Sequence, residues 1–353
     1  LQNCLFPSKK NDYDINSFVE HKKLAQVFEE SRRWLGILDL AHVGSLNEKI
    51  HNKEIVEVIK VSEALHEKKI SQIADDFCAN PDNNIILIAG PSSSGKTTFA
   101  QRLSIQLKVN GKNPIAISLD DYFVNREDTP LNPDGSYDFE ALESVDLELL
   151  NMDLLRLIEG QSVELPKFNF ITGKREKSGK IIRVDENSPI IIEGIHGLNP
   201  KLTYEIPEKH KYKIYISALT QLNLDSHNRI STTDTRLIRR MVRDVEFRGN
   251  GPLRTFELWS GVRSGEEKNI FPYQEEADVI FNSFLVYEMS VLKKQIVPLL
   301  NEIDNCSVYY SEARKLLRFL EYFVDIIDES IIPTNSILRE FIGGASFNIH
   351  KNN

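Results

Sequence analysis

Two kinds of hydrophobic spacing divide the chain near residue 80. Before that point, apolar residues recur at helical spacing over 14–40 and again over 54–79, and the sequence Asn-Pro-Asp-Asn then interrupts the pattern. Beyond it, short apolar runs typical of buried strands alternate with longer stretches of helical periodicity. The pattern predicts a mostly helical N-terminal region (1–80), an α/β domain (81–303), and a C-terminal helix and tail that pack on that domain (304–353).

Five apolar runs are predicted to form the strands of one sheet, and they cover 85–89, 114–119, 189–193, 213–218 and 277–281. Helices are predicted between and after them, at 96–110, 147–159, 284–303 and 308–328. The turn-rich segment 124–145 is interpreted as a loop, and 163–184 as a hairpin whose strands, 163–170 and 180–184, are joined through Gly173 and Gly179. Strands that alternate with helices indicate the α/β class, here a doubly wound parallel sheet with helices on both faces.

Composition and charge narrow the possible partners. The chain has 353 residues and a net charge of −9, and its acidity argues against an extended nucleic-acid surface. Three widely separated cysteines, Cys4, Cys78 and Cys306, form neither a disulfide framework nor a metal-ligand cluster, and they favour a reducing compartment. No apolar run approaches the roughly 20 residues that span a bilayer. We therefore expect a cytoplasmic protein without a membrane partner, and homo-oligomerisation stays open.

A phosphate-binding pattern follows the first predicted strand, with Gly, four residues, Gly, Lys and Thr placed before a predicted helix. Glycines let the backbone approach an anion closely, and the loop N–H groups and the helix N-terminus then bind it. Lys96 is expected to reach the β- and γ-phosphates of ATP, and Thr97 to hold Mg²⁺. The predicted nucleotide-binding residues are Gly90, Pro91, Ser92, Ser93, Ser94, Gly95, Lys96, Thr97 and Thr98.

Two carboxylates follow predicted strands, at the sheet edge where ligands of such folds bind. Asp120 comes after the second strand, and a carboxylate there accepts the proton of a substrate hydroxyl or binds Mg²⁺ through water. Glu193 ends the run Ile-Ile-Ile of the third strand. Beside a phosphate loop, we expect Glu193 to complete the metal site with Thr97.

An arginine-rich stretch at 234–249 stands out in this acidic chain. Arg236, Arg239, Arg240 and Arg243 are spaced at i, i+3, i+4 and i+7, so on a helix they share one face. A charged helix face is most often only solvated, but the planar guanidinium suits phosphate, and Lys is absent from the stretch. We therefore predict that these four arginines are catalytic and close over the transferring phosphoryl group.

Taken in order, these motifs resemble the phosphoribulokinase/uridine kinase family of P-loop kinases over residues 84–284. The segment around Asp120 is similar to the family's Gln-Asp-Ser-Phe-Tyr, and 234–244 to its lid helix. The resemblance implies an ATP- and Mg²⁺-dependent kinase with Asp120 as base, whose acceptor is a small-molecule hydroxyl, first of all the 5′-hydroxyl of a nucleoside. It also implies a substrate site made of Asp120, Tyr122, Asp138, Phe168, Asn169, Arg175 and Arg236.

The chain departs from this family where a nucleobase is recognised. Uridine–cytidine kinases carry Tyr, Asp and then His in the hairpin, where this chain has Phe168, Asn169 and Gly173, and Phe123 replaces another Tyr. A sugar phosphate or another metabolite is therefore an alternative acceptor. Residues 17–50 resemble the end of a threonyl-tRNA-synthetase-like N-terminal module that would begin before Leu1. That resemblance keeps open a different class of function, a nucleotide-dependent RNA-associated regulator.

Overall fold

The computed structural model of the chain describes residues 21–132, 135–169 and 171–347. Its N-terminal helices are α1 (Lys22–Ile37), α2 (Val43–His51) and α3 (Ile55–Ala79). The sequence did not predict α2. This helix begins after His42, whose imidazole accepts a hydrogen bond from the Ser45 N–H and caps it. The helical character of this region is confirmed, and residues 14–20 of the first predicted helix lie outside the described part of the chain.

Strands and helices alternate from residue 85 onward. The strands are β1 (Ile85–Ala89), β2 (Ile115–Ser118), β3 (Ser162–Asn169), β4 (Lys174–Arg183), β5 (Ile190–Glu193), β6 (Lys211–Ser217) and β7 (Val279–Asn282). The helices are α4 (Lys96–Val109), α5 (Leu147–Ile158), α6 (Thr232–Arg248), α7 (Pro252–Asn269), α8 (Glu288–Asn301), α9 (Tyr310–Glu321) and α10 (Arg339–Ile342). Five strands form one parallel sheet in the order β2-β5-β1-β6-β7, which confirms the predicted fold class.

Strand β1 lies at the centre of the sheet and is buried on both faces. Its side chains alternate between two hydrophobic clusters, because successive residues of a strand point to opposite faces. Ile86 and Ile88 join a cluster with residues of α3, α4, α6 and α8, whereas Ile85 and Leu87 join a second cluster with residues of α5. Helices therefore cover both faces, and the carboxyl end of β1 delivers the phosphate loop to the sheet edge.

The hairpin β3–β4 is longer than the sequence indicated. Strand β4 begins at Lys174, six residues before the predicted start at 180, and Gly179 lies within it instead of in the turn. The pairing shifts register between Glu164 and Pro166, so one strand accommodates an irregularity that the alternation pattern did not show. Gly173 alone of the two glycines belongs to the turn, and Phe170 lies outside the described residues.

The C-terminal segment returns to the phosphate loop. Helices α8 and α9 are shorter than predicted, and an irregular stretch then leads to α10. The side chain of Ile337 lies so close to Gly95 that a Cβ atom at Gly95 would come within 2.5 Å of its Cγ2. Gly343 and Gly344, directly after α10, both adopt positive φ angles.

Helix α3 joins the N-terminal region to the parallel sheet and to the C-terminal segment. It packs along α4, where Arg102 donates a hydrogen bond to Glu67 over 2.7 Å. Glu63 accepts hydrogen bonds from the Tyr287 hydroxyl at 2.6 Å and from the Ser336 hydroxyl at 2.5 Å. None of the helices in the described ranges is both long and apolar enough to cross a membrane.

Candidate active site

The phosphate loop connects β1 to α4 through strained backbone positions. Ser93 and Gly95 have positive φ angles of 59° and 84°. A Cβ atom at Gly90 would lie 2.0 Å from the Ile216 carbonyl oxygen, so only glycine fits there. The Lys96 ammonium donates hydrogen bonds to the carbonyl oxygens of Gly90 and Pro91, at 2.9 and 3.2 Å. The loop therefore has the shape and the cation that phosphate binding requires.

A cleft of about 350 Å³ lies over this loop. Residues from the loop, from the ends of β2 and β5, and from α6 meet in its wall. The predicted site residues that line it are Ser92, Ser93, Ser94, Gly95, Lys96, Thr97, Asp120, Glu193, Arg240 and Arg243. The structure thus brings together the predicted phosphate-binding, metal-binding and base residues, which are far apart in the sequence.

Thr97 and Glu193 form a pair suited to magnesium. The Thr97 hydroxyl donates a hydrogen bond to Glu193 Oε1 over 2.9 Å. Burial raises the pKa of Glu193, although the Lys96 charge and the Thr97 hydrogen bond act against that shift. Within the described residues there is no group of three or more His, Cys, Asp or Glu side chains that could hold a metal ion. Two oxygen ligands near phosphates fit Mg²⁺, which keeps several waters and needs no cage of protein ligands.

Asp120 lies in a short 3₁₀ turn directly after β2. The turn is capped by Ser118, whose hydroxyl accepts the Asp120 N–H. The side chain of Asp120 lines the cleft and is exposed to solvent. Removal of bulk water raises its pKa, the neighbouring Asp121 raises it further, and the Lys96 charge acts in the opposite direction. A carboxylate in such a position is suited to accept a proton.

Helix α6 presents three arginines around one carboxylate. Asp244, which is almost completely buried, lies 3.2 Å from Arg240, 3.3 Å from Arg243 and 3.6 Å from Arg248. Arg240 also donates a hydrogen bond to the Ser92 hydroxyl of the phosphate loop at 2.8 Å. Burial and the repulsion from Arg248 lower the pKa of Arg243 to about 10. Three guanidinium groups therefore surround Asp244, and the same cleft wall also contains Glu140 and Glu340, which interact electrostatically with Arg240 and Arg243.

The prediction that four arginines close over one phosphoryl group does not hold for Arg236 and Arg239. Both guanidinium groups are buried in ion pairs inside the protein. Arg239 is 0% exposed and forms a bidentate ion pair with Glu288, at 3.0 and 2.5 Å. Arg236 is 1% exposed and donates to Glu266 at 2.9 and 2.5 Å. The spacing indicated a shared face correctly, but helix packing places the two halves of that face in different surroundings.

Most of the residues assigned to the acceptor by resemblance do not line the cleft. Tyr122 is 0% exposed and donates a hydrogen bond to Asp153, which makes it a core residue. Arg175 pairs with Asp146, the residue that caps α5, over 2.7 Å. Burial of Tyr122 in the core argues against its assignment to the substrate, whereas the assignment of the partly exposed Arg175 stays a prediction.

Three further predicted residues also lie outside the cleft wall. Asn169 accepts the N–H groups of residues 171 and 172 and shapes the hairpin turn. Phe168 packs edge-on against Phe123, with ring centroids 5.6 Å apart. Asp138 accepts the Glu140 N–H, and it is Glu140 rather than Asp138 that reaches the cleft. The acceptor side of the site is therefore built differently from the prediction.

Sequence reasoning missed three carboxylates of the site. Glu140 follows the predicted Asp138 by two residues, and burial raises its pKa. Glu266 accepts the Ser92 N–H of the loop over 2.9 Å, and Glu340 accepts the Thr98 hydroxyl over 2.7 Å. No local motif marks Glu266 or Glu340, because each reaches the loop from a helix more than 170 residues further along the chain.

Comparison of the sequence with known proteins identifies the family. The family model for the phosphoribulokinase/uridine kinase family matches residues 85–290. A uridine kinase of Halobacterium salinarum is 27% identical over 194 residues, which cover 55% of this chain and 77% of the relative. A uridine kinase of Chloroflexus aurantiacus is 30% identical over 198 residues, covering 56% and 85%. A solved structure described as a possible uridine kinase from Bacillus stearothermophilus is 20% identical, covers 57% of this chain and 89% of its own, and has a TM-score of 0.37. From the family match and the phosphate-loop cleft, we conclude that the chain belongs to the phosphoribulokinase/uridine kinase family of ATP-dependent phosphotransferases.

Proposed function

We propose that the protein transfers the γ-phosphoryl group of ATP to a hydroxyl group of a small molecule, and that the acceptor is the 5′-hydroxyl of a nucleoside. The observation that carries the proposal is the meeting of Lys96, Asp120 and Arg240 in one cleft. A phosphate loop alone accounts only for nucleotide binding. A carboxylate base in the same cleft, opposite arginines on a helix, supports transfer to an acceptor that loses a proton.

Each residue has a defined role in this reaction. Lys96 and the loop N–H groups hold the β- and γ-phosphates, and Thr97 and Glu193 hold Mg²⁺, which when bound neutralises charge on those phosphates. Asp120 accepts the proton of the acceptor hydroxyl as its oxygen bonds to the γ-phosphorus. The bond from that phosphorus to the bridging oxygen breaks, and ADP leaves. Arg240 stabilises the charge that develops on the phosphoryl oxygens.

Two observations bear on the acceptor. The cleft wall contains apolar side chains, among them Phe123, Phe139 and Val262, which suit the flat face of a sugar or a base. The names of the relatives support a nucleoside. The guanidinium groups of Arg243 and Arg248, which lie together at the cleft beside Asp244, favour instead an acceptor that carries its own phosphate. A sugar phosphate is therefore our second candidate.

A substrate panel separates these candidates. Nucleosides, sugar phosphates and other polyols would be incubated with ATP and Mg²⁺, and ADP release measured for the wild type, Asp120→Asn and Asp121→Asn. Asp121 is the adjacent control, because it accepts the Phe168 N–H and does not line the cleft, and its replacement removes only a charge that raises the pKa of Asp120. We expect D120N to lower kcat about 10²–10⁴-fold and D121N to retain most of the activity. If no acceptor raises ADP release above the D120N background, the proposed function is wrong.

A further inference from the structure

A carboxylate from the C-terminal segment occupies donors at the start of the phosphate-loop helix. Helix α4 begins after Gly95, which has no side chain to cap it, so the first N–H groups of the helix are available to an anion. Glu340 of α10 takes this position. Its Oε2 atom accepts the Thr98 hydroxyl at 2.7 Å and the Thr98 N–H at 3.3 Å.

The surrounding segment holds Glu340 in place. Arg339 donates hydrogen bonds to the carbonyl oxygens of Glu329 and Ile332, at 2.6 and 2.8 Å. The Ser336 hydroxyl donates to Glu63 of α3, and the side chains of Ile337 and Phe341 are 0% exposed. Because packing and hydrogen bonds fix both sides of Glu340, its approach to Thr98 belongs to the fold and does not result from a free surface side chain.

Glu340 and Glu266 both accept hydrogen bonds from the phosphate loop, but they differ in how their negative charge is neutralised. Glu266 accepts the Ser92 N–H, but Arg236 neutralises it in a buried ion pair. Glu340 is only 5% exposed, and in the described part of the chain no cation lies within salt-bridge distance of it. Its charge is therefore balanced mainly by the helix N-terminus and by the more distant Lys96 and Arg243. These are the groups that a nucleotide phosphate also needs.

We propose that Glu340 occupies a phosphate subsite of the nucleotide site and thereby sets the affinity for nucleotide. This inference rests on the proposed function, because it assumes that the loop binds ATP. A phosphate oxygen and the Glu340 carboxylate are both acceptors and both anionic, so they cannot share the Thr98 donors. Nucleotide binding requires that Glu340 moves away from Thr98, and the cost of that movement weakens the binding of ATP and ADP.

The test compares nucleotide affinity among three forms of the full chain. Isothermal titration with ADP–Mg²⁺ and with a non-hydrolysable ATP analogue would be carried out on the wild type, Glu340→Gln and Glu329→Gln. Gln keeps the size of the side chain and an oxygen acceptor for Thr98, but it removes the charge. Glu329 is the matched control, because it lies in the same segment and pairs with Lys294 at 3.7 Å, away from the loop.

We expect E340Q to bind both nucleotides about tenfold more tightly, since a charged hydrogen bond that competes with the ligand becomes a neutral one. E329Q should bind like the wild type. Equal or weaker binding by E340Q overturns the inference, while detectable nucleotide binding by the wild type leaves the proposed function standing. If the wild type binds neither nucleotide, the function and the inference fail together.

A second measurement on the wild type does not depend on a variant that folds. Hydrogen exchange of the amides at 336–342 would be followed with and without nucleotide. Displacement of Glu340 should loosen α10, so we expect at least severalfold faster exchange when nucleotide is bound. Unchanged or slower exchange of these amides means that α10 stays against Thr98, and it overturns the inference.

Discussion

Replacing Arg239 and Arg240, two neighbouring arginines on α6, by the same residue should affect different properties of the protein. Arg239→Met and Arg240→Met both remove a guanidinium group and keep an unbranched side chain. Arg239 pairs with Glu288 in the core and donates a hydrogen bond to the Ser93 carbonyl oxygen at 3.3 Å, whereas Arg240 reaches the Ser92 hydroxyl at the cleft. We expect R239M to lower stability and R240M to lower the rate, although the two positions are adjacent and the sequence predicted one role for both.

The magnitudes follow from burial. R239M leaves Glu288, which is 0% exposed, without its cation, and the loss of one partner of a buried pair costs about 3–5 kcal/mol. That is a large part of the roughly 5–15 kcal/mol by which most proteins are stable. R240M removes a partly exposed side chain and leaves Asp244 with Arg243, so stability should fall by no more than about 1 kcal/mol. The loss of a charge-stabilising donor should lower kcat about 10²–10³-fold.

Urea unfolding followed by circular dichroism, together with ADP release at saturating substrates, measures both quantities. A double variant, R239M with Glu288→Gln, provides the control, because it removes the unpaired charge and should recover roughly 1–3 kcal/mol. An unchanged urea midpoint for R239M, combined with a drop in kcat as large as that of R240M, would refute the reasoning. It would mean that Arg239 leaves the core to reach the phosphoryl group.

Three other expectations concern the loop, the metal and pH. Gly90→Ala places a Cβ atom 2.0 Å from the Ile216 carbonyl oxygen and should abolish nucleotide binding, whereas Gly261→Ala, with open space around it, should not; equal binding by both would contradict this. Thr97→Ala should raise the Mg²⁺ concentration for half-maximal rate about tenfold or more, and an unchanged Mg²⁺ dependence would remove Thr97 from the metal site. Burial lowers the pKa of His66 to about 3. The unfolded state takes up a proton near pH 6.5 and the native state does not, so about 2 kcal/mol of stability should be lost between neutral pH and pH 5. If this loss is as large in His66→Phe as in the wild type, His66 is not its source.

Local patterns were sufficient to predict the sheet and the phosphate loop. The run 85–89 is apolar at every position because both faces of β1 are buried, and this distinguishes a central parallel strand from an amphipathic one. Gly90 and Gly95 indicate the phosphate loop because no other residue fits their backbone environment. Asp120 and Glu193 were found because the carboxyl ends of parallel strands meet at one edge.

Periodicity could not separate the arginines of α6. The i, i+3, i+4, i+7 spacing fixes which side chains share a face, but not which part of that face meets a neighbouring helix. Glu288 and Glu266, on α8 and α7, decide that Arg239 and Arg236 are buried. The predicted strand bounds of the hairpin were wrong for a related reason. The shift in pairing near Pro166 interrupts the alternation of apolar and polar residues that a strand prediction needs.

The phosphate loop also shows why the long-range carboxylates matter for nucleotide exchange. The hydrogen-bond donors of a phosphate loop need acceptors when no phosphate is bound. Here Glu193, Glu266 and Glu340 accept hydrogen bonds from Thr97, Ser92 and Thr98. An arriving phosphate repels each carboxylate, more strongly in the cleft than in water. Arg236 offsets this repulsion at Glu266, and under the proposed function Mg²⁺ would offset it at Glu193. In the described part of the chain Glu340 has no cation within salt-bridge distance, so the Thr98 donors and the more distant Lys96 and Arg243 balance its charge. We therefore expect an arriving phosphate to displace Glu340 rather than Glu193 or Glu266, at the cost of the contacts that hold α10 in place.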